Sequence, residues 1–202
     1  FELQGQSGIV AGVLITVRVL MALALVGYWV VAESMLRDTV PGFTTSLDAL
    51  ALGRLSPRLG RAILGGLGLG AAVAGSRLLF ASGVAAAGIQ GVYPESPSYV
   101  LPLFGGIANA FLEGPYAAAT VILVAALFRF VLARERADVL GAIGYALLYS
   151  CAFQYAPWGA TLVLTLAEAA ILLLAFRTLG LTGLLVAATA PALLRDLLAS
   201  LR

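Results

Sequence analysis

The chain has 202 residues, of which 61% are hydrophobic and 11% charged, and its mean hydropathy is +1.03. This composition excludes a soluble domain of this size and predicts an integral membrane protein, built as a single polytopic domain over residues 1–202. The net charge of +2 is too small to indicate nucleic-acid binding. We therefore expect the lipid bilayer and other membrane protein subunits as partners.

The first half of the chain contains two predicted spans. One runs from about Ile9 to Ala32 and is long enough to cross a bilayer of about 30 Å. The second runs from Ala62 to about Ile89, and its Gly66 and Gly70 form a small-xxx-small pair that would let another helix approach closely. Between the spans, residues 33–61 form an arginine-rich loop in which Ser46 to Leu55 predicts a short amphipathic helix.

The second half begins with a short apolar stretch, Tyr99 to Leu112, which Pro102 and a glycine pair interrupt. Because about fourteen residues are too few to span comfortably, we expect a half-helix or an interfacial segment here. Four further spans follow, separated by a basic loop at 134–138 and by turns at 157–159 and 177–180. They are predicted at 115–133, 139–155, 161–176 and 181–201. The fold class is thus all-α, with about six transmembrane helices and one short segment.

Arginine distribution predicts the orientation of these spans. The loops at 33–61 and 134–138 are both basic, and an even number of crossings separates them. Short cytoplasmic loops are enriched in Arg and Lys, so both loops are expected on the cytoplasmic face. Tyr93–Ser98 has no basic residue and is expected on the opposite face. The predicted location is the bacterial inner membrane.

Three stretches of the second half resemble the motifs of the CPBP family, the CAAX-type or glutamic intramembrane proteases. The first family motif is two glutamates, three residues and an arginine preceded by Phe. Here Phe128-Arg129 matches its end, whereas Val124 and Ala125 stand in the glutamate places. The resemblance covers residues 114–202.

The other two motifs match in spacing only. The second is an aromatic residue followed four positions later by histidine, and here Tyr149 and Phe153 take those places. The last is Gly-Leu leading into a helix with His and, four residues on, Asn or Asp. Those places hold Ala188 and Ala192. The resemblance implies the family's fold without its catalytic groups, and hence a pseudoenzyme with no catalytic residue.

Composition independently excludes most catalytic chemistry. The chain has no His, and its twelve basic residues are all Arg. Zinc proteases, Ser-His hydrolases, Ser-Lys hydrolases and His-ligated haem all need one of the missing residue types. We expect no metal and no cofactor. All four aspartates are expected in loops or near the ends of spans, which also argues against an aspartyl protease.

Three functions remain: a scaffold, a transporter component, and a protein that only binds a ligand or lipid. The placement of the charges should separate the first two. A scaffold or accessory subunit of a membrane complex would pair its charges inside the helix bundle. A transporter or permease component would leave them along a hydrated pathway near the midplane. Glu168 is the carboxylate nearest the middle of a span, and a buried carboxylate is stabilised by a guanidinium. Its expected partner is Arg129, with Arg18 or Arg77 as substitutes. The alternative is a neutral Glu168 bonded to a backbone carbonyl, a lipid or a partner chain.

Overall fold

The computed structural model describes residues 16, 19–20, 22–31, 33–35, 37, 48, 52–53, 56–87, 102–132, 134–152 and 158–200. The described residues contain no strand, which confirms the all-α class. The start of the first predicted span, most of the Ser46–Leu55 helix and Tyr93–Ser98 lie outside them. The helices are α1 (described residues of Ala22–Met35), α2 (Pro57–Ala86), α3 (Pro102–Val131), α4 (Arg134–Ala152) and α5 (Trp158–Ser200).

Among the residues that the structure describes, three segments are long and apolar enough to cross a membrane, which identifies a membrane protein. They are Pro57–Ala86, Ala110–Arg129 and Trp158–Arg195, with mean hydropathies of 1.6, 1.7 and 2.1. The segment of α3 is the most buried of the three, since 56% of the residues in its most apolar stretch are buried, against 17% for α2. α3 therefore lies inside the bundle, whereas α2 lies at its edge with much of its surface open.

α2 begins at a regular helix cap. The side chain of Ser56 accepts a hydrogen bond from the backbone N–H of Leu59 at 3.2 Å, and Pro57 occupies the first helical position. Serine caps satisfy an otherwise unpaired N–H, and proline at this position removes an N–H that would have no helical partner. The helix therefore starts five residues before the predicted span and continues to Ala86.

α3 corrects the prediction of a separate half-helix before residue 113. The helix runs without a break from Pro102 to Val131, and Pro115 lies inside it. Tertiary packing opposes the local break, because Gly114 lies against Thr189: a Cβ on this glycine would be 2.5 Å from the Thr189 Oγ1. Proline is tolerated inside membrane helices where neighbouring helices pack around it. Glu113 consequently projects from the middle of a helix and does not begin one.

α4 corrects the prediction of a basic loop at 134–138. α3 ends at Val131 and α4 already begins at Arg134, so the charged residues form the first turns of a helix. One face of α4 is buried through Ala137, Gly141 and Tyr145, at helical spacing. The buried positions begin at Ala137, before the apolar run that starts at Val139. Hydropathy alone therefore predicts the start of the span at Val139.

α5 folds back on itself at Gly180. This glycine has φ 71° and ψ −160°, a conformation that is not helical and that is open chiefly to glycine. Glu168 and Pro191 are 23 positions apart and would lie about 35 Å apart along a straight helix. Both residues nevertheless line one small cavity. The first segment (158–179) and the second segment (181–200) of α5 are therefore antiparallel neighbours, with the turn at Gly180 where a turn was predicted for 177–180.

The second segment of α5 packs closely on α2. A Cβ at Gly66 would be 2.8 Å from the backbone oxygen of Gly183, and one at Gly70 would be 2.6 Å from the Ala190 Cβ. Both glycines are buried. The helix contact expected at Gly66 and Gly70 thus lies within the chain, between α2 and α5, and does not need a partner protein.

The core of the bundle lies between α3, α4 and both segments of α5. α5 packs against α2, α3 and α4, and α3 also packs against α4. Tyr145 and Tyr149 stack at the centre, with ring centroids 5.3 Å apart. The large apolar side chains that remain exposed on α2, α4 and α5 suit a lipid environment; examples are Leu64, Leu79, Val139, Leu148 and Val163.

A matched pair of alanine substitutions tests the α2 contact. Gly70→Ala should lower the free energy of unfolding by about 1–3 kcal/mol, because its Cβ has no room. Gly68→Ala should leave stability unchanged or raise it by up to about 1 kcal/mol, because nothing lies within 4 Å of that Cβ and alanine favours a helix. Unfolding of both variants in detergent provides the measurement. Equal effects would show that α2 meets only lipid at Gly70.

Candidate functional site

A bidentate ion pair joins α2 to the first segment of α5. The Nε of Arg77 donates to the Oε1 of Glu168 at 2.6 Å, and its Nη2 donates to Oε2 at 3.0 Å. The Glu168 side chain is 2% exposed and that of Arg77 is 25% exposed. Two parallel charge-assisted bonds are the geometry in which a guanidinium holds a carboxylate most strongly. A carboxylate deep in the bundle is thus neutralised by its own chain.

This pair extends into a row of alternating charges, which we name the four-charge network: Arg77, Glu113, Glu168 and Arg195. The Nη1 of Arg77 lies 3.7 Å from the Oε1 of Glu113. The Nη2 of Arg195 donates to the Oε2 of Glu113 at 3.2 Å. The four groups come from α2, α3 and both segments of α5. The formal charges of these two arginines and two glutamates sum to zero.

A small cavity adjoins the four-charge network. Its volume is about 10 Å³, and its wall includes ten residues: Val73, Arg77, Glu113, Ala117, Tyr145, Tyr149, Glu168, Leu172, Ala188 and Pro191. A buried water needs about 10–15 Å³ and two to four polar partners. The cavity therefore has room for one water and not for an organic substrate. Its polar groups belong to the arginine, the two carboxylates and the two tyrosines.

A second cluster, which we name the arginine clamp, consists of Arg129, Asp138 and Arg177. Asp138 is completely buried, and each of its carboxylate oxygens accepts from one arginine. Oδ1 receives the Nε and Nη2 of Arg129 at 2.8 and 2.7 Å. Oδ2 receives the Nε and Nη2 of Arg177 at 2.8 and 2.6 Å. The clamp ties the end of α3 to the start of α4 and to the turn of α5.

The clamp carries more positive than negative charge. Two guanidinium groups share a single carboxylate, which leaves a formal charge of +1. The Arg129 side chain is 5% exposed, and its Nη1 is buried without a hydrogen-bond partner. Its Cζ lies 5.5 Å from the centre of the Phe176 ring, a cation–π contact that offsets part of the cost of burial. No acceptor reaches that nitrogen among the residues that the structure describes.

The structure corrects the partner assigned to Glu168. Glu168 bonds Arg77, one of the two substitutes, and Arg129 bonds Asp138. The predicted Arg129–Glu168 pair is wrong because the two residues belong to different networks. Arg129 is nine positions before Asp138 and meets it across the short α3–α4 connection. Arg18 lies outside the described residues.

The motif positions are only partly brought together. Tyr149 and Ala188 both line the small cavity beside Glu168. Val124 and Ala125 are buried against α4 instead, where Cβ atoms at Gly144 and Gly141 would meet them at 2.8 and 3.1 Å. Ala192 is buried, and Phe153 lies outside the described residues. The carboxylates of the cavity thus come from Glu113 and Glu168, which are not motif positions.

Sequence reasoning missed the roles of two acidic residues. The sequence predicts a loop at Asp138, and it puts Glu113 just before the span predicted to begin at Pro115, whereas each is an ion-pair partner inside a helix. One signal pointed to Asp138: it lies on the same helical face as Gly141 and Tyr145, three and seven positions later. No comparable signal marks Glu113, because Gly114 and Pro115 favour a break after it.

The described residues contain no group of three His, Cys, Asp or Glu side chains that could hold a metal ion. Comparison with protein-family models, with curated proteins and with solved structures gives no match for this chain. The resemblance to the CPBP family therefore stays a prediction.

A double-mutant cycle tests the pair at the centre of the four-charge network. Arg77→Met should destabilise the protein by about 3–5 kcal/mol, because it leaves the buried carboxylate of Glu168 without its guanidinium. Glu168→Leu should cost less, because the Arg77 side chain is 25% exposed and still faces Glu113. The double variant should recover much of that loss. Unfolding in detergent gives the three free energies.

The control cycle combines Glu168→Leu with Arg129→Met. These residues have different partners, so their losses should add within about 0.5 kcal/mol. The pairing would be refuted if the Arg77 cycle were as additive as the Arg129 cycle.

Proposed function

We propose that the chain is a non-catalytic integral membrane scaffold or accessory subunit of a larger membrane protein complex. The observation that carries this proposal is the internal neutralisation of Glu168, Glu113 and Asp138 by arginines of the same bundle. A scaffold needs charges that fix the helices relative to one another. Ion pairs with two or more bonds specify both distance and orientation, which apolar contacts do not.

A transporter component is the competing proposal, and the geometry supports it less. Transport requires polar groups along a hydrated pathway, with the substrate site near the membrane midplane. The cavity beside the four-charge network has room for one water, and its arginine and carboxylates contact each other. A pathway would require these ion pairs to open.

The proposed arrangement has six crossings. They are α1, α2, α3, α4 and the two segments of α5, which have 22 and 20 residues by their numbers and so lengths of about 33 and 30 Å. These lengths match a bilayer core of about 30 Å. The end of the bundle that holds the arginine clamp would face the cytoplasm, in agreement with the preference of Arg for that side. A bacterial inner membrane would contain this topology.

The outer face of α2 offers a surface for a partner helix. Gly60, Gly68, Gly75 and Gly83 recur every seven or eight residues, and nothing lies within 4 Å of a Cβ at any of them. Small residues at helical spacing allow helix backbones to approach closely in lipid. This surface is separate from Gly66 and Gly70, which already pack on α5.

The scaffold proposal predicts partner proteins that depend on the outer face of α2. Tagged protein, extracted from native membranes in mild detergent, should co-migrate with defined partners. Gly68→Leu should remove them, because its side chain would occupy the contact surface, while thermal stability should stay unchanged. Ala167→Leu, on an exposed position of α5, is the matched control and should retain them. Migration of the wild type without any partner would contradict the proposal.

The same proposal predicts no peptidase activity. Prenylated and transmembrane peptides incubated with the purified protein should be cleaved no faster than in a preparation from an empty vector. Glu113→Gln and Glu168→Gln serve as the decisive variants, since these are the two carboxylates of the cavity. Cleavage that either substitution abolishes would mean that the cavity is an active site.

A further inference from the structure

We propose that the arginine clamp is a binding site for the phosphate of an anionic phospholipid. The first observation is charge: Arg129 and Arg177 share Asp138, so the cluster has an excess charge of +1. A charge that is not neutralised within apolar surroundings is costly, and an anion bound alongside removes that cost. The four-charge network has no such excess, which makes the clamp the distinctive site.

The second observation is the unused hydrogen-bonding capacity of the two arginines. A guanidinium has five N–H donors, and Asp138 engages only Nε and Nη2 of each arginine. The Nη1 of Arg129 is buried and has no acceptor. Arg177 is 42% exposed, so its remaining edge is accessible from outside the bundle. Asp138 thus holds two guanidinium groups in fixed orientations and leaves the accessible donors of Arg177 for an anion.

The third observation is location. The clamp lies where α3 ends, α4 begins and α5 turns, next to the first turns of α2, because Gly65 approaches Leu179. Arg58, Arg61 and Arg136 are exposed at this same end. An end of apolar helices that is rich in arginine meets the headgroup region of the cytoplasmic leaflet, where anionic lipids are found. Basic pockets between membrane helices on that side bind phosphate headgroups.

A phosphodiester fits this site better than a carboxylate does. Arginine forks bind phosphate oxygens in the bidentate mode, and a diester keeps one negative charge, which equals the excess on the clamp. The phosphate would accept from the exposed edge of Arg177, and the excess charge shared with buried Arg129 would strengthen that contact. The lipid would also connect α3, α4 and α5 at the membrane surface.

Lipid preference of the full chain is the first test. Delipidated protein in detergent should be stabilised by phosphatidylglycerol and not by phosphatidylcholine with the same acyl chains. Inorganic phosphate and glycerol 3-phosphate, at the same concentration, are the soluble comparisons and should give no stabilisation. Equal stabilisation by both lipids would overturn the proposal. Stabilisation by inorganic phosphate as large as by the lipid would show that the site binds free phosphate instead.

Two arginines at the same end provide the matched variants. Arg177→Gln should reduce the affinity for phosphatidylglycerol more than tenfold, whereas Arg58→Gln should cost at most about fivefold, the effect of about 1 kcal/mol for one arginine near an anionic surface. Equal losses would mean a general attraction to the surface and would overturn the site.

Protection from chemical modification tests the site in the wild type, and so does not depend on whether Arg177→Gln folds. Phenylglyoxal modifies exposed arginines, and in the wild type its rate at Arg177 should fall at least fivefold when phosphatidylglycerol replaces phosphatidylcholine. Arg58 is the internal control and should change less. The same change at both positions would refute the site. These outcomes concern the lipid alone, so a negative result would leave the scaffold proposal intact.

Discussion

The cost of an unpaired charge inside an apolar bundle constrains this protein more than any other interaction. Glu168 and Asp138 are buried carboxylates on helices that otherwise consist mostly of apolar and small residues. Each can stay ionised there only if a guanidinium from another helix reaches it, because the free energy of burying an isolated charge is large. The packing of α2, α3 and α4 on α5 meets this requirement twice: in the four-charge network for Glu168, and in the arginine clamp for Asp138.

Small residues make the ion pairs geometrically possible. α2 approaches the second segment of α5 through Gly66 and Gly70, and α3 approaches it through Gly114. Because the backbones lie close together, the shorter side chain of Glu113 and the longer side chain of Arg77 come within 3.7 Å of each other. The turn at Gly180 has a related effect, since it places both segments of α5 beside α2 and α3. Packing and electrostatics therefore depend on each other in this fold.

The two charged clusters differ in a way that bears on function. The four-charge network is neutral and encloses space for one water, which is consistent with a structural role between helices. The arginine clamp has an excess charge and lies at the end of the bundle, partly exposed through Arg177. This difference is the basis on which we propose a structural role for the four-charge network and a lipid-binding role for the arginine clamp.

The sequence by itself determined the membrane class, the all-α fold and the places of helix contact at Gly66 and Gly70. Hydropathy and small-residue spacing are local properties, so these features can be read without a structure. It also indicated that Glu168 needs a guanidinium, but not which one. Arg77 is 91 positions away in the chain and Arg129 is 39, and sequence distance does not measure distance in space.

Only the tertiary structure decided the pairing, the continuity of α3 through Pro115 and the helical position of Asp138. Each of these depends on neighbours from another helix. Packing of Gly114 against Thr189 opposed the local tendency of Gly-Pro to end a helix. The two arginines of the clamp, which come from α3 and α5, made burial of Asp138 possible. Helix propensity disfavours Gly by about 1 and Pro by about 3 kcal/mol, and ordinary residues by less. The interactions of a buried charge are of similar size or larger, so the tertiary contacts prevailed.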